Sequence, residues 1–367
     1  MNNHTENFNN KKYNKIIDLI NNSDKSHVEI STVMNLIKTY TTFNKFIMQI
    51  KNESDIFNKF ITICNIDHEL FNIFIKQIEI NKFKYKQDYC DEYKLILIFQ
   101  LRNSLNKWQD LTKSIFYDPL PGTKYHYKSI QSQYQRWCHN DIFKNGFHSC
   151  VPHNNDIELT GITFNDFDNN FYIINENNDL FIDSTSINNK YGSEGIVINP
   201  ELTKKNITKI STISNVNGFI YSITPIDVNH KTIKYNNTNK DIKTAKNDTK
   251  TICTSLKEIN PNIKIKSLNK TIDLIGDKGY VTSEIFKYKE NNVKVITPLK
   301  KNNKNKFIFR NNRKLSYRYI IENTICSYKS DNRINTRKDK KIKTFMGWCY
   351  MSSLNHNLNT NKRMMKE

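Results

Sequence analysis

The chain has 367 residues, a net charge of +20 and a mean hydropathy of −0.69. That length holds two or three domains with cores of their own, and no run of the sequence is long and apolar enough to be a membrane span. The opening MNNHTENFNN lacks the basic start and apolar stretch of a signal peptide, so an intracellular protein is expected. Seven scattered cysteines make no disulfide framework. Much of the polarity is asparagine, which matches the codon bias of an AT-rich genome and is weak evidence of function.

The charge is unevenly spread. Residues 1–100 carry 13 Lys/Arg against 12 Asp/Glu, whereas residues 300–343 carry 15 basic residues against three acidic ones. A tract this basic suits a polyanion such as nucleic acid, because each neutralised phosphate releases counterions. A solvated lysine-rich surface is the plainer alternative.

In chain order, a disordered start is expected, followed by helices over residues 11–101. "VMNLIKTYTTFNKFIMQI" and "LFNIFIKQIEI" repeat apolar residues every three or four positions. This amino-terminal helical region, 1–103, has no role legible in its residues. The turn-rich "YDPLPGT" then precedes "KYHYKSIQSQYQRWCHNDIF", where Tyr127, Ile130, Tyr134 and Trp137 fall on one helical face. Lys124 just before them and Lys128 and Arg136 among them suit the basic side of a helix-turn-helix DNA-binding segment over 104–165. An ordinary helix with inward aromatics fits the same spacing. "RWCHNDIFKNGFHSCVPH" gathers Cys138, His139, His148, Cys150 and His153, but without a C-x-x-C pair or a common finger spacing. Buried thiols and surface histidines are favoured over zinc.

From about Asn170 the pattern changes to short strands. "NDLFIDST" reads as a strand ending in Asp183, and "ITKISTIS" and "GFIYSITPI" as an antiparallel pair joined through "NVNG". Residues 228–250 read as polar loop running into helix. "IDLIGD" is the next strand, then come a short helix near 283–288 and the strand "VKVITPL". "SYRYIIENTICSYK" and "TFMGWCYMSSLNHNL" read as helices. The result is a mixed α/β domain over 170–360.

Three acids stand out by position: Asp183 and Asp277 at strand ends, and Glu322 in a late helix. Each taken alone reads as a cap or a surface residue. Neighbouring strands would set the aspartates side by side, and a helix across the sheet would bring Glu322 between them. Converging carboxylates repel unless a cation neutralises them, and hard oxygen ligands favour Mg²⁺ or Mn²⁺. Two such ions support phosphodiester chemistry. Arg318, one turn before Glu322, and Lys329, two turns after it, then read as phosphate contacts.

These motifs resemble those of DDE transposases of the insertion-sequence-five group, over roughly Trp108 to Leu358. "IDST" at 182–185 resembles the segment of the first aspartate. "GDKGY" at 276–280 resembles the second and is the most specific match. "RYIIENTICSYK" resembles the third block, with its Arg–Glu–Lys spacing, and Arg333, Arg337 and the run into "TFMGWCYMSSLNH" resemble its continuation. "KWQDL" and the aromatic helix after "YDPLPGT" resemble the helical DNA-binding segment of the group.

The resemblance implies a ribonuclease H-like fold, with Asp183, Asp277 and Glu322 as catalytic ligands of two Mg²⁺ or Mn²⁺ ions. It further implies hydrolysis at the ends of an element, followed by attack of the freed 3′-hydroxyl on target DNA. Arg318 and Lys329 would bind phosphates near the transferred end, and Arg333, Arg337, Lys340, Lys341 and Lys343 would track the backbone. Duplex DNA is the implied partner, a homodimer the implied synaptic assembly, and a DNA-containing compartment the implied location. Two positions depart from the pattern: Leu315 stands where the group has tyrosine, and Asn323 where it often has a basic residue. A catalytically silent DNA-binding protein, a nuclease that cuts without joining and a basic structural protein are the alternatives.

Overall fold

The computed structural model describes residues 2–22, 30–81, 89–103, 107–118, 127–150, 179–190, 192–198, 206–226, 228–235, 238–245, 251–259, 272–277, 280, 293–298, 318–331, 334–337, 339–364 and 366. They fall into two compact units, 1–142 and 143–367. Residues 104–142, expected to be a DNA-binding segment, group with the amino-terminal helices in the first of these units.

The first unit is helical. Among the described residues its α-helices are α1 (Asn2–Asn21), α2 (Ile30–Tyr40), α3 (Phe43–Ile50), α4 (Ser54–Ile63), α5 (His68–Ile80), α6 (Asp91–Asn103) and α7 (Tyr127–His139), with a 3-10 turn at Trp108–Lys113. Helix α1 starts at Asn2, where the sequence suggested disorder. The long apolar run over 33–50 is broken at Thr41 and Thr42, and the Thr42 hydroxyl accepts from the Lys45 amide to cap α3. Asp67 caps α5 in the same way, accepting from the amides of Glu69 and Leu70. Helix α6 is the centre of the unit: Tyr93, every residue from Leu95 to Phe99, and Leu101 are buried, as an apolar surface on all sides requires. Phe43 links three elements, with ring centroids 5.7 Å from Phe60, 5.6 Å from Tyr93 and 5.6 Å from Phe116.

The second unit is α/β. A seven-stranded mixed sheet runs in the order β2–β3–β1–β7–β8, with β4 also on β3 and β9 also on β1. The strands are β1 (Leu180–Asn189), β2 (Val197–Ile198), β3 (Asn206–Asn215), β4 (Ile220–Pro225), β7 (Ile272–Gly276), β8 (Val293–Ile296) and β9 (Thr336–Arg337). β1, β3 and β4 pair antiparallel, whereas β7 and β8 continue parallel to β1. Strand β1 does not end at Asp183: β3 pairs with it from Leu180 to Asn188, so the ladder carries the polar residues beyond the aspartate. Residues 228–245 are not loop or helix but a separate hairpin, β5 (Val228–Tyr235) with β6 (Thr238–Ala245). The short helix expected at 283–288 lies outside the described residues.

The remaining α-helices among the described residues are α8 (Ile142–Ser149), α9 (Ile252–Lys257), α10 (Tyr319–Asp331) and α11 (Ile342–Met364). Helix α10 packs on β1 and β3, and α11 on β4. Asn357 of α11 brackets Ile220, its side chain accepting from the amide at 2.8 Å and donating to the carbonyl at 2.9 Å. No helix among the described residues is long and apolar enough to cross a membrane.

Candidate active site

The register between β1 and β7 pairs Leu180 with Leu274, Phe181 with Ile275 and Ile182 with Gly276. One further step along the same register sets Asp183 beside Asp277. Gly276 makes the close approach possible: a Cβ there would lie 3.0 Å from both the Ile182 side chain and the Tyr280 ring. The Tyr280 amide donates to the Asp277 carbonyl at 2.9 Å, closing a turn, and its ring is buried. Asp277 is thus held half-buried just past the end of β7.

Helix α10 is held over this strand pair by two kinds of contact. Ile321 and Ile325 join a buried apolar cluster with Phe181, Ile275 and Ile296. Lys329 donates from Nζ to Thr185 Oγ1 at 3.3 Å and to the Ser186 carbonyl at 3.2 Å. Phe181, Asp183 and Thr185 alternate onto one face of β1, so the same docking that buries Phe181 brings Glu322 to the aspartates.

Arg318, just before α10, ties the acids together. Its Nη1 donates to Asp277 Oδ1 at 3.1 Å and its Nη2 to Glu322 Oε1 at 2.8 Å. The bond to Glu322 is the first cause of a raised Arg318 pKa. Asp183 accepts from the Ser184 amide at 2.7 Å. Burial pushes its carboxyl pKa up and the charges of Asp277 and Glu322 push the same way, against Arg318 and the Ser184 bond.

Asp277 and Glu322 share one guanidinium, and Asp183 is the more buried third acid. The donors are all hard oxygens and Asp183 is costly to leave charged and bare, so the residues present fit a divalent cation of the Mg²⁺ or Mn²⁺ type. As placed, with Arg318 between two of them, they do not form a closed ligand set: no group of three or more His, Cys, Asp or Glu among the described residues stands ready to hold a metal ion.

The other residues suggested by the sequence divide. Lys340, Lys341 and Lys343 are exposed around the start of α11. Lys128 and Arg136 are exposed on α7, while Tyr127, Ile130, Tyr134 and Trp137 of that helix are buried. Asp141, left-handed at φ 56°, lies in the short turn between α7 and α8. Lys124 and Arg333 lie outside the described residues.

Arg337 is a correction. It is fully buried, and its Nε donates to the Asp339 carbonyl at 2.8 Å. Its Nη1 donates to Thr208 Oγ1 at 3.1 Å and to the Glu194 carbonyl, and its Nη2 to the Lys340 carbonyl. It pins the loop before α11 to β3 and cannot track a DNA backbone. Lys329 differs from expectation in a milder way, since β1 supplies its described partners.

In the cysteine–histidine segment, Cys138 and Cys150 are buried and His139 is exposed. His148 is buried rather than on the surface, 5.2 Å from the Phe147 ring and 6.2 Å from Tyr350. His153 lies outside the described residues. Gly276, Thr185 and Ser186 complete the arrangement without having been singled out from the sequence. Gly276 could have been found as the residue that admits the Asp277 turn, whereas the strand partners of Lys329 had no local signal.

No protein-family model matches the chain, and no curated protein matches it in sequence. Among solved structures, the cryo-EM structure of a piggyBac transposase synaptic complex with hairpin DNA aligns with 81% of this chain and 72% of that one. Identity is 9% and the TM-score 0.41, so function is argued from the residues alone.

Proposed function

We propose that the chain is a DDE-type DNA transposase with a ribonuclease H-like catalytic domain, which cleaves DNA at the ends of an element and joins those ends to target DNA. The observation that carries this reading is that Asp277 and Glu322, one just past the end of β7 and the other on α10, share the Arg318 guanidinium, with Asp183 one register step beyond the last β1–β7 pair. The order of three antiparallel strands continued by two parallel ones supports the ribonuclease H-like assignment.

In this reading Asp183, Asp277 and Glu322 would hold Mg²⁺ or Mn²⁺. The metal's contribution is Lewis-acid stabilisation of charge at the scissile phosphodiester. The chain supplies the rest. The β1–β7 ladder fixes the two aspartates, and the Ser184 amide orients Asp183. Ile321, Ile325 and Lys329 lock α10 so that Glu322 faces them. Lys340, Lys341 and Lys343, with Lys128 and Arg136, offer exposed charges for phosphates of duplex DNA. Pairing of two DNA ends calls for two copies of the chain.

The test is incubation of the purified protein with the DNA flanking its own gene in Mg²⁺ or Mn²⁺, with Asp277→Asn in parallel. Metal-dependent nicking and joining, lost in the variant with DNA binding retained, is the expected result. Equal cleavage by both proteins would sink the assignment. One observation favours a second reading, a catalytically silent DNA-binding protein: Arg318 already engages two of the three carboxylates. Salt-sensitive DNA binding without any cleavage would establish it.

A further inference from the structure

The acids of the site are bridged by a cation of the chain itself. Arg318 lies immediately before α10, four residues ahead of Glu322. It places one nitrogen on Asp277 Oδ1 at 3.1 Å and the other on Glu322 Oε1 at 2.8 Å. The two acids belong to different elements, a strand end and a helix. Without a shared positive charge, their repulsion and that of Asp183 would push α10 away from β7.

We propose that Arg318 is a built-in counter-ion that competes with the divalent cation: it holds Asp277 and Glu322 together in the unloaded site and leaves them as the metal enters, which frees its guanidinium for a DNA phosphate. The proposal rests on the metal-binding reading of the three acids given above. It departs from a fixed phosphate contact, since the same guanidinium has two alternative partners of like chemistry, carboxylate and phosphate.

The arrangement suits exchange. The Arg318 side chain is 34% exposed, and those of Asp277 and Glu322 are 44% and 50% exposed. Pairs this open to water are weak and easily given up. Each carboxylate receives a single nitrogen rather than a two-pronged clamp, which makes each contact weaker still. Asp183 receives no described bond from Arg318 and is the more buried acid. Displacing one guanidinium therefore leaves a site with greater demand for a divalent charge.

Linkage makes the competition reciprocal. The metal must displace Arg318 to take up both carboxylates, so Arg318 lowers the apparent metal affinity. A phosphate backbone that draws the guanidinium away removes that competition, so DNA and metal each strengthen the other's binding. The site would then load fully only when DNA is present, which limits idle cleavage chemistry by the free protein.

The test measures Mn²⁺ binding to the full-length protein by electron paramagnetic resonance, without DNA and then with a short duplex. Wild type is compared with Arg318→Gln, Arg318→Lys and Asp277→Asn. Arg318→Gln should bind Mn²⁺ about five- to tenfold more tightly than wild type, the fold-change that an exposed bridging pair supports. Duplex DNA should tighten Mn²⁺ binding to wild type and have little effect on Arg318→Gln. Arg318→Lys keeps the charge but cannot bridge two carboxylates with a planar fork, so it should fall between the two; it also serves if the glutamine variant folds poorly. Equal or weaker Mn²⁺ binding by both Arg318 variants, with binding still lost in Asp277→Asn, would overturn the counter-ion proposal and leave the metal site standing. No Mn²⁺ binding by wild type or either Arg318 variant, with or without DNA, would overturn both.

Discussion

Asp183 and Arg337 show how differently two charged residues of one sheet are treated. Burial and two neighbouring carboxylates raise the Asp183 pKa, and the Ser184 amide and Arg318 offset only part of that. Asp183→Asn should therefore raise the stability of the metal-free protein, on the order of 1 kcal/mol, and abolish any cleavage. Urea denaturation in EDTA checks the first half, and a destabilised variant would show that the carboxylate is better compensated than its surroundings indicate. Arg337 is the opposite case. Burial lowers its pKa, but its donors satisfy carbonyls of Asp339, Glu194 and Lys340 and the Thr208 hydroxyl. Arg337→Ala removes a donor from the Asp339 and Glu194 carbonyls, whereas Thr208 keeps Asn189 and the Lys340 carbonyl keeps Ser193 as donors, so about 3 kcal/mol of stability should be lost. Once measured at a temperature where the variant is folded, its DNA affinity should keep the wild-type salt dependence. A flattened salt slope would restore Arg337 to the DNA contacts.

At the scale of elements, the position of α10 decides whether three scattered acids form a site. Ile325→Ala should cost about 2–4 kcal/mol, from a lost apolar side chain and the cavity left behind. It should also lower the rate of any cleavage more than Asn323→Ala does, because Asn323 is exposed on the same helix. Helix α8 carries a different liability. His148 is buried against aromatic rings, with Lys144 adding repulsion, and burial is the larger reason its pKa is depressed to about 3. Its ordinary value is near 6.5 in the unfolded chain, so the unfolded state takes up the proton first as pH falls. Stability from a neutral His148 is complete above about pH 6.5 and is lost progressively below it, by about 2 kcal/mol between pH 7 and pH 5. Denaturation at the two pH values in wild type and His148→Phe measures this: the variant should lose most of that pH dependence, and an unchanged dependence would place the cause elsewhere.

Over the whole molecule, the net charge of +20 makes polyanion binding expected at low salt, and the informative quantity is how steeply binding falls as salt rises. Lys340, Lys341 and Lys343 are exposed, so replacing each with alanine should lower the slope by about one while leaving the unfolding midpoint nearly unchanged. A triple variant with the wild-type slope would move the DNA surface away from the start of α11.

The sequence by itself determined the element types whose periods are regular and local. The helices after residue 30, the β3–β4 hairpin, strands β7 and β8 and the last two helices follow from spacing and turn residues. The neighbourhood of Asp183 and Asp277 follows from their equivalent places on apolar strands that could pair. Tertiary structure alone decided the rest. β1 runs past Asp183 because β3 offers a ladder for its polar half, and residues 228–245 form a hairpin that their polarity concealed. Whether a basic residue faces solvent or the core is set by partners distant in sequence: 129 positions separate Arg337 from Thr208, and 144 separate Lys329 from Thr185. Charge and spacing identify which residues can meet a phosphate. Only the packing of β1, β7 and α10 decides which of them are already committed to the protein.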